Sequence, residues 1–156
     1  MVQIHSAVAS NRRPPVLCEG DIAQFSLTPA DFRILIVNED MQSADSLKRT
    51  LRGLGYYTTL TAYSAKRALE AAADFSPSVA LLDLELPDMT GFQLAHRLRS
   101  HLLSCVRRVP LLAVAETLVF GNRELTRGAG FVGCLTKPVL PMELNRMLWR
   151  LHGANT

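Results

Sequence analysis

An α/β fold built on a parallel five-stranded sheet is predicted by three observations on the sequence. Short apolar runs alternate with amphipathic segments five times along the chain. The run Val79–Asp83 is apolar up to its last residue, which is typical of a strand covered by helices on both faces. Polar residues follow three of the runs, at the positions where parallel strands end in loops. Such alternation predicts right-handed crossovers with helices on both faces of the sheet.

The strands and helices are assigned from the spacing of their apolar residues and from the turn residues that bound them. The predicted strands are Phe32–Val37, Tyr57–Ala62, Val79–Asp83, Val109–Val114 and Phe131–Thr136. The five predicted helices are Gln42–Leu54, Ser64–Asp74, Gly91–Leu103, Phe120–Arg127 and Pro141–Leu151. The third helix is expected to turn Leu94, Leu98 and Leu102 inward, and the fourth has the weakest apolar periodicity.

The length of 156 residues suits one domain with a sizeable core. We expect the domain to span residues 32–153, followed by a short tail at 154–156. Residues 1–31 lack sustained periodicity and are predicted to be an irregular N-terminal extension, with one short helical turn capped by Thr28. Composition does not distinguish a linker, a packed arm and a mobile tail for this extension.

Composition excludes several classes of protein. An apolar content of 48% with 20% charged residues is typical of a soluble protein, and no apolar run reaches membrane-spanning length. The N-terminus has no basic segment before an apolar core, so the cytoplasm is the expected compartment. The net charge of +3 is diffuse, so neither nucleic acid nor a membrane is expected as a direct partner. Cys18, Cys105 and Cys134 lack metal-ligand spacing and are expected to remain reduced thiols.

Asp83 is the candidate functional acid because it ends the most apolar strand. Burying a carboxylate there costs several kcal/mol unless loops, water or a cation reach it. Pro87 and Gly91 force a turn directly afterwards, so the carboxylate is presented at the edge of the sheet. A simpler alternative is that Asp83 only caps this turn.

Two motifs favour the functional interpretation. The string Asp83-Leu-Glu-Leu-Pro87-Asp-Met-Thr-Gly91 resembles the phosphoacceptor signature of response-regulator receiver domains, and Leu135-Thr-Lys-Pro138 resembles their lysine motif. The resemblance covers Phe32 to Gly153 and is most detailed, around Ala129-Gly-Phe131, to receivers of hybrid sensor kinases. It implies a flavodoxin-like three-layer sandwich with strand order 2-1-3-4-5.

The resemblance also implies a chemistry. Asp83 would accept a phosphoryl group from a sensor histidine kinase or a histidine phosphotransfer protein, and cations must offset the repulsion between the two anions. By resemblance, Mg²⁺ would be held by the side chains of Glu39 and Asp83 and by the backbone carbonyl of Glu85. Lys137 would pair with Asp83 and then with the phosphoryl oxygens. Such a domain is not an enzyme beyond self-catalysed phosphoryl transfer and autodephosphorylation.

Three positions depart from the family pattern. Asn38 stands where the first acid of a pair usually holds the metal through water, so Mg²⁺ binding is expected to be weakened. Ala115 replaces the usual Thr or Ser, and Cys134 replaces the aromatic residue that acts as a switch. Phosphorylation therefore has few contacts through which to shift the fourth-helix and fifth-strand face.

Two other functions are weighed against phosphoryl acceptance. The three departures fit a pseudo-receiver, an interaction module that works without phosphorylation. Asp83-Leu-Glu85 also resembles the nucleophile motif of haloacid-type hydrolases, but it follows the third strand, and Pro87 occupies the usual Thr position. In either receiver interpretation, output is expected through docking to an unidentified protein, with no output domain.

A homodimer is a further expectation. It would form through the face of the fourth and fifth predicted helices, where Leu118, Val119 and Phe120 offer an apolar patch.

Overall fold

The computed structural model describes residues 28–116 and 120–154, without the side chains of residues 120–123 and 153–154. Most of the predicted N-terminal extension, including Cys18, lies outside these residues, as do Leu118, Val119 and the side chain of Phe120. The short turn predicted after Thr28 is present as a 3₁₀ helix at Pro29–Asp31. The amide and hydroxyl of Thr28 both donate to the Asp31 carboxylate, which fixes this entry into the first strand.

Five parallel strands form the sheet, in the order β2-β1-β3-β4-β5. They are β1 Arg33–Val37, β2 Thr58–Ala62, β3 Val79–Asp83, β4 Leu111–Ala115 and β5 Phe131–Thr136. Every neighbouring pair is parallel, which confirms the predicted fold and strand order. The register between β4 and β5 shifts once, because Leu111 pairs with Phe131 and Leu112 with Gly133. Val132 is thus an extra residue on the edge strand, as in a β-bulge.

The described residues contain six α-helices, one more than predicted. They are α1 Met41–Gly53, α2 Ala65–Phe75, α3 Gly91–Arg99, α4 Ser104–Arg107, α5 Phe120–Gly128 and α6 Pro141–Ala154. The prediction of a single third helix through Leu103 was wrong, since α3 ends at Arg99 and a separate turn, α4, follows. Leu102 is 93% exposed instead of facing inward.

Two arginine side chains hold the segment that follows α3. The Arg99 guanidinium donates to the carbonyls of Arg107 and Val109, each at 2.7 Å, and to the carbonyl of Gly130 at 3.0 Å. Arg107 in turn donates to the carbonyls of His101 and Leu102. Backbone carbonyls outside the helices and strands are therefore satisfied by side chains. Arg99 ties the end of α3 to the amino ends of β4 and β5.

The sheet has one apolar core on each face. On one face α2 and α3 pack against it, and Ala65, Ala68 and Ala72 let α2 approach closely. On the other face α1 and α6 pack through residues such as Leu51 and Leu144. The strand β3 is buried along its whole length, as its apolar sequence predicts. Asp83, the last residue of β3, therefore has helices on both faces of the sheet and can be reached only from the loops.

The N-terminus of α1 depends on one carboxylate. Asp40 accepts hydrogen bonds from the amides of Gln42 at 3.3 Å and Ser43 at 3.1 Å, and from the Ser43 hydroxyl at 2.5 Å. The Ser43 hydroxyl is the main reason why the pKa of Asp40 is lowered from its usual value. A carboxylate with a depressed folded pKa adds stability above its unfolded pKa, and that stability is lost as the pH falls through the folded pKa.

Asp40→Ala is therefore expected to lower the urea midpoint of unfolding at pH 7. The difference from the wild type should shrink below about pH 4, where the unfolded carboxyl becomes protonated. Urea titrations between pH 7 and pH 3 measure this, with Asp45→Ala, on the same helix but outside its cap, as the control. A difference that stays constant across this range would contradict the assignment.

Candidate functional site

The carboxyl ends of β1, β3, β4 and β5 meet at one edge of the sheet. Val37 pairs with Leu82, so the next residues along, Asn38 and Asp83, are neighbours. Both residues are buried although both are polar: Asn38 is 5% exposed and Asp83 is 3% exposed. Polar groups at such positions are kept by hydrogen bonds or by function, because burying them unpaired is costly.

Asp83 is bonded through both carboxylate oxygens. Its Oδ2 accepts from the Lys137 ammonium at 2.6 Å, and its Oδ1 accepts from the Glu85 amide at 2.9 Å. The Lys137 backbone amide donates to the Ala115 carbonyl at 2.8 Å, which fixes the lysine just beyond β5. The fold thus brings together two residues that are 54 positions apart in sequence. Asp83 also caps its own turn, as the simpler alternative expects, but that bond uses only one of its oxygens.

Two of the three residues after β1 use their side chains in local hydrogen bonds. The Asn38 Oδ1 accepts from the Asp40 amide at 2.9 Å, and the Asp40 carboxylate is used in the cap of α1. Glu39, between them, is exposed. Within residues 28–116 and 120–154, no group of three or more His, Cys, Asp or Glu side chains is placed to hold a metal ion.

The donor atoms at this edge nevertheless fit Mg²⁺ in kind. Carboxylates of Asp83 and Glu39, the Glu85 carbonyl and the Asn38 amide oxygen are all hard oxygen donors, which Mg²⁺ prefers. The neutral amide at position 38 leaves the set one negative charge short of what a carboxylate there would give.

The loop between β3 and α3, residues 84–90, is closed and anchored. Glu85 and Thr90 form an isolated antiparallel bridge, and the Gly91 amide donates to the Leu84 carbonyl at 2.9 Å. Thr90 caps α3 by accepting from the Gln93 amide at 3.2 Å. Asp88 accepts from the first two amides of α2, those of Ala65 at 3.0 Å and Lys66 at 2.9 Å.

Sequence reasoning missed the role of Asp88. Its partners lie more than twenty residues earlier in the chain, and the only local signal at the start of α2 is the capping residue Ser64. The two backbone hydrogen bonds lower the pKa of Asp88 from its usual value.

The two other departures from the expected pattern lie on the β4 and β5 strands. Ala115 is buried, and its side chain is only a methyl group. It directly follows Val114, which pairs with Asp83 across β3 and β4. Cys134 is half-buried and packs against the same core as Ala115. Neither Cys105 nor Cys134 forms a disulfide. These two positions therefore carry neither a hydroxyl nor an aromatic ring.

Comparison with known proteins identifies the class. The family model of the response regulator receiver domain matches residues 34–148, and the chain belongs to this family. It acts within two-component signalling, as such receiver domains do.

Individual relatives are of similar size. An uncharacterized 14.6 kDa protein of Leptolyngbya boryana is 33% identical over 78% of this chain and 90% of its own length. The polar-differentiation response regulator DivK of Brucella ovis is 27% identical over 67% of this chain and 84% of its own.

The solved structures include one with a metal. The receiver domain of the sensor histidine kinase PA1611 from Pseudomonas aeruginosa, with magnesium coordinated in its active site cleft, is 29% identical. Its TM-score is 0.70, and the alignment covers 78% of this chain and 98% of that one. Among the described residues, none of the helices is both long enough and apolar enough to cross a membrane.

Proposed function

We propose that the chain is a phosphoryl-accepting receiver in which Asp83 takes a phosphoryl group from a phosphohistidine. The donor would be a sensor histidine kinase or a histidine phosphotransfer protein. The observation that carries the proposal is the 2.6 Å ion pair between Lys137 and the buried Asp83 at the loop edge of the sheet. A buried carboxylate paired with a single mobile ammonium is a nucleophile whose partner can follow the charge that develops on the incoming group.

The residues of this chain have distinct parts in the transfer. One Asp83 oxygen forms a bond to phosphorus while the bond between phosphorus and the donor imidazole nitrogen breaks, and that nitrogen keeps the electron pair. The Glu85 amide holds the other oxygen and so orients the carboxylate. Lys137 moves its charge from the carboxylate to the phosphoryl oxygens. A bound Mg²⁺, held by Asp83, Glu39 and the Glu85 carbonyl with Asn38 reached through water, would neutralise the oxygens as they approach.

Phosphorylation is tested by intact-mass measurement after incubation with a small acyl phosphate and Mg²⁺. The wild type is expected to gain the mass of one phosphoryl group, and Asp83→Asn is expected to gain none. No gain on the wild type, or an equal gain on Asp83→Asn, would favour the pseudo-receiver alternative. The methyl group of Ala115 and the thiol of Cys134 are the observations that support that alternative.

Asn38→Asp is expected to bind Mg²⁺ more tightly than the wild type. The new carboxylate adds negative charge beside Asp83, and an aspartate oxygen can keep the hydrogen bond from the Asp40 amide. Changes in the outer shell of a metal typically alter its affinity by about 10–100-fold. Isothermal titration calorimetry with MgCl₂ measures the effect. Asn145→Asp, the same change on α6, is the control, and equal affinities for Asn38→Asp and the wild type would contradict the proposed metal position.

Output through docking to another protein is part of this proposal. The predicted dimer contact through α5 and α6 stays a prediction, supported by exposed apolar side chains on both helices, Leu125 at 60% and Trp149 at 56%.

A further inference from the structure

Asp88 connects the β3–α3 loop to the beginning of α2. The first amides of a helix have no partner within the helix, so they depend on side chains or water. In α2 the capping residue Ser64 accepts only from the Arg67 amide, at 3.2 Å. The amides of Ala65 and Lys66 are instead held by the two oxygens of Asp88. The N-terminus of α2 is therefore completed by a residue of the loop that follows the phosphoacceptor.

The same loop is bonded directly to Asp83. The Glu85 amide donates to the Asp83 Oδ1, and the bridge between Glu85 and Thr90 closes the loop around Asp88. Leu86 and Met89 anchor the loop by packing against the core on the α2 and α3 face. Because the Glu85–Thr90 bridge joins the two ends of the loop, a shift of the Glu85 amide is expected to shift Asp88 as well.

On the β4 side of the site, no side-chain atom of Ala115 can pass a change at Asp83 to a neighbouring element by hydrogen bonding. Ala115 has no polar side-chain atom, and the hydrogen bond described there joins the Lys137 amide to the Ala115 carbonyl. That bond joins two backbone groups and does not involve the Asp83 carboxylate. Lys137, between β5 and α6, also donates a hydrogen bond to Asp83. The β3–α3 loop differs because it holds both a donor to Asp83, the Glu85 amide, and the residue that caps α2, Asp88.

We propose that Asp88 is a positioning residue that couples the chemical state of Asp83 to the N-terminus of α2. This inference rests on the proposed function, in which the change of state is phosphorylation. Phosphorylation converts the Oδ1 atom from a carboxylate oxygen into the carbonyl oxygen of an acyl phosphate. Hydrogen bonds to ionised acceptors are roughly twice as strong as those to neutral ones, so the bond from Glu85 weakens. The loop then relaxes, and the bonds from Asp88 to Ala65 and Lys66 lengthen.

Substitutions at Asp83 test the coupling without any phosphoryl donor. Asp83→Asn leaves a neutral carbonyl for the Glu85 amide, and Asp83→Ala leaves none. The amide proton chemical shifts of Ala65 and Lys66 are expected to move upfield, more in Asp83→Ala than in Asp83→Asn. Two-dimensional ¹H–¹⁵N spectra of the full chain measure them. The Arg67 amide is the internal control, because its partner Ser64 lies in α2's own cap, and it should not move.

The Asp88→Ala background, which leaves no side-chain acceptor for the two amides, separates coupling from a merely structural effect. In that background the Ala65 and Lys66 shifts should differ from wild type but should no longer respond to substitutions at position 83. Unchanged Ala65 and Lys66 shifts in Asp83→Asn, or an equal response in both backgrounds, would overturn the proposal. If Asp83→Ala fails to fold, Asp83→Asn decides alone. Since no phosphorylation is involved, failure here is distinguishable from failure of the mass measurement.

Discussion

Gly91→Ala is expected to destabilise the protein by about 3 kcal/mol, the upper end of the usual cost of overpacking. A Cβ atom on Gly91 would lie 2.5 Å from the Asp83 carbonyl oxygen and 2.8 Å from the Leu84 Cα. Both neighbours are backbone atoms, so neither can move aside without shifting the end of β3. Because the carbonyl belongs to Asp83, the same shift should also disturb the pair with Lys137. Urea unfolding of the two proteins measures the loss.

Gly53→Ala is the matched control for this substitution. Gly53 also lies in a helix, and a Cβ atom there meets no other atom within 4 Å. Replacing it should be neutral or stabilising by about 0.4–1 kcal/mol, because alanine reduces the entropy of the unfolded chain. Equal effects of the two substitutions would show that close approach to β3 is not the reason for glycine at position 91.

Lys137→Met is expected to destabilise the protein more than Asp83→Asn does. The lysine substitution leaves the Asp83 carboxylate, 4% exposed, without its cationic partner, and an unsatisfied buried group costs about 1–3 kcal/mol. The asparagine substitution instead leaves Lys137, which is 28% exposed and can turn its ammonium to water. Its cost should be within about 1 kcal/mol.

Urea titrations of both variants and of the double variant Asp83→Asn/Lys137→Met test this asymmetry. The double variant should recover most of the stability that Lys137→Met loses, because no buried charge remains unpaired. If the double variant is as unstable as Lys137→Met alone, the loss comes from the lysine stem and not from the uncompensated carboxylate.

The fold could be predicted from the sequence because its signals are local and repeated. The apolar run of β3 and the apolar spacing of α1 and α6 each indicate one element, and their alternation indicates a parallel sheet. The contacts at the end of α3 could not be predicted, because Arg99 reaches carbonyls up to 31 residues away. Leu102 keeps helical spacing with Leu98, but periodicity alone does not reveal that the chain has left the helix.

The candidate site could be predicted only where a motif exists. Asp83 and Lys137 each stand in a recognisable string, and the structure brings them together. The sequence shows that Asn38 departs from the family pattern. It does not show that the Asn38 side-chain oxygen accepts a hydrogen bond from the Asp40 amide. Likewise Asp88 stands in a variable position of its motif, and its contact with α2 depends on how the loop closes in three dimensions. Hydrogen bonds between distant segments leave no pattern in a single sequence.

Arg99 should make one end of the sheet resistant to local unfolding on heating. Two hydrogen bonds from the Arg99 guanidinium hold the residues just before β4 and β5, at the opposite ends of these strands from Asp83. At the opposite ends, the Asp83–Lys137 ion pair and the hydrogen bonds of the β3–α3 loop hold the strands. We therefore expect the amino ends of β4 and β5 to be among the last parts of the sheet to open on heating.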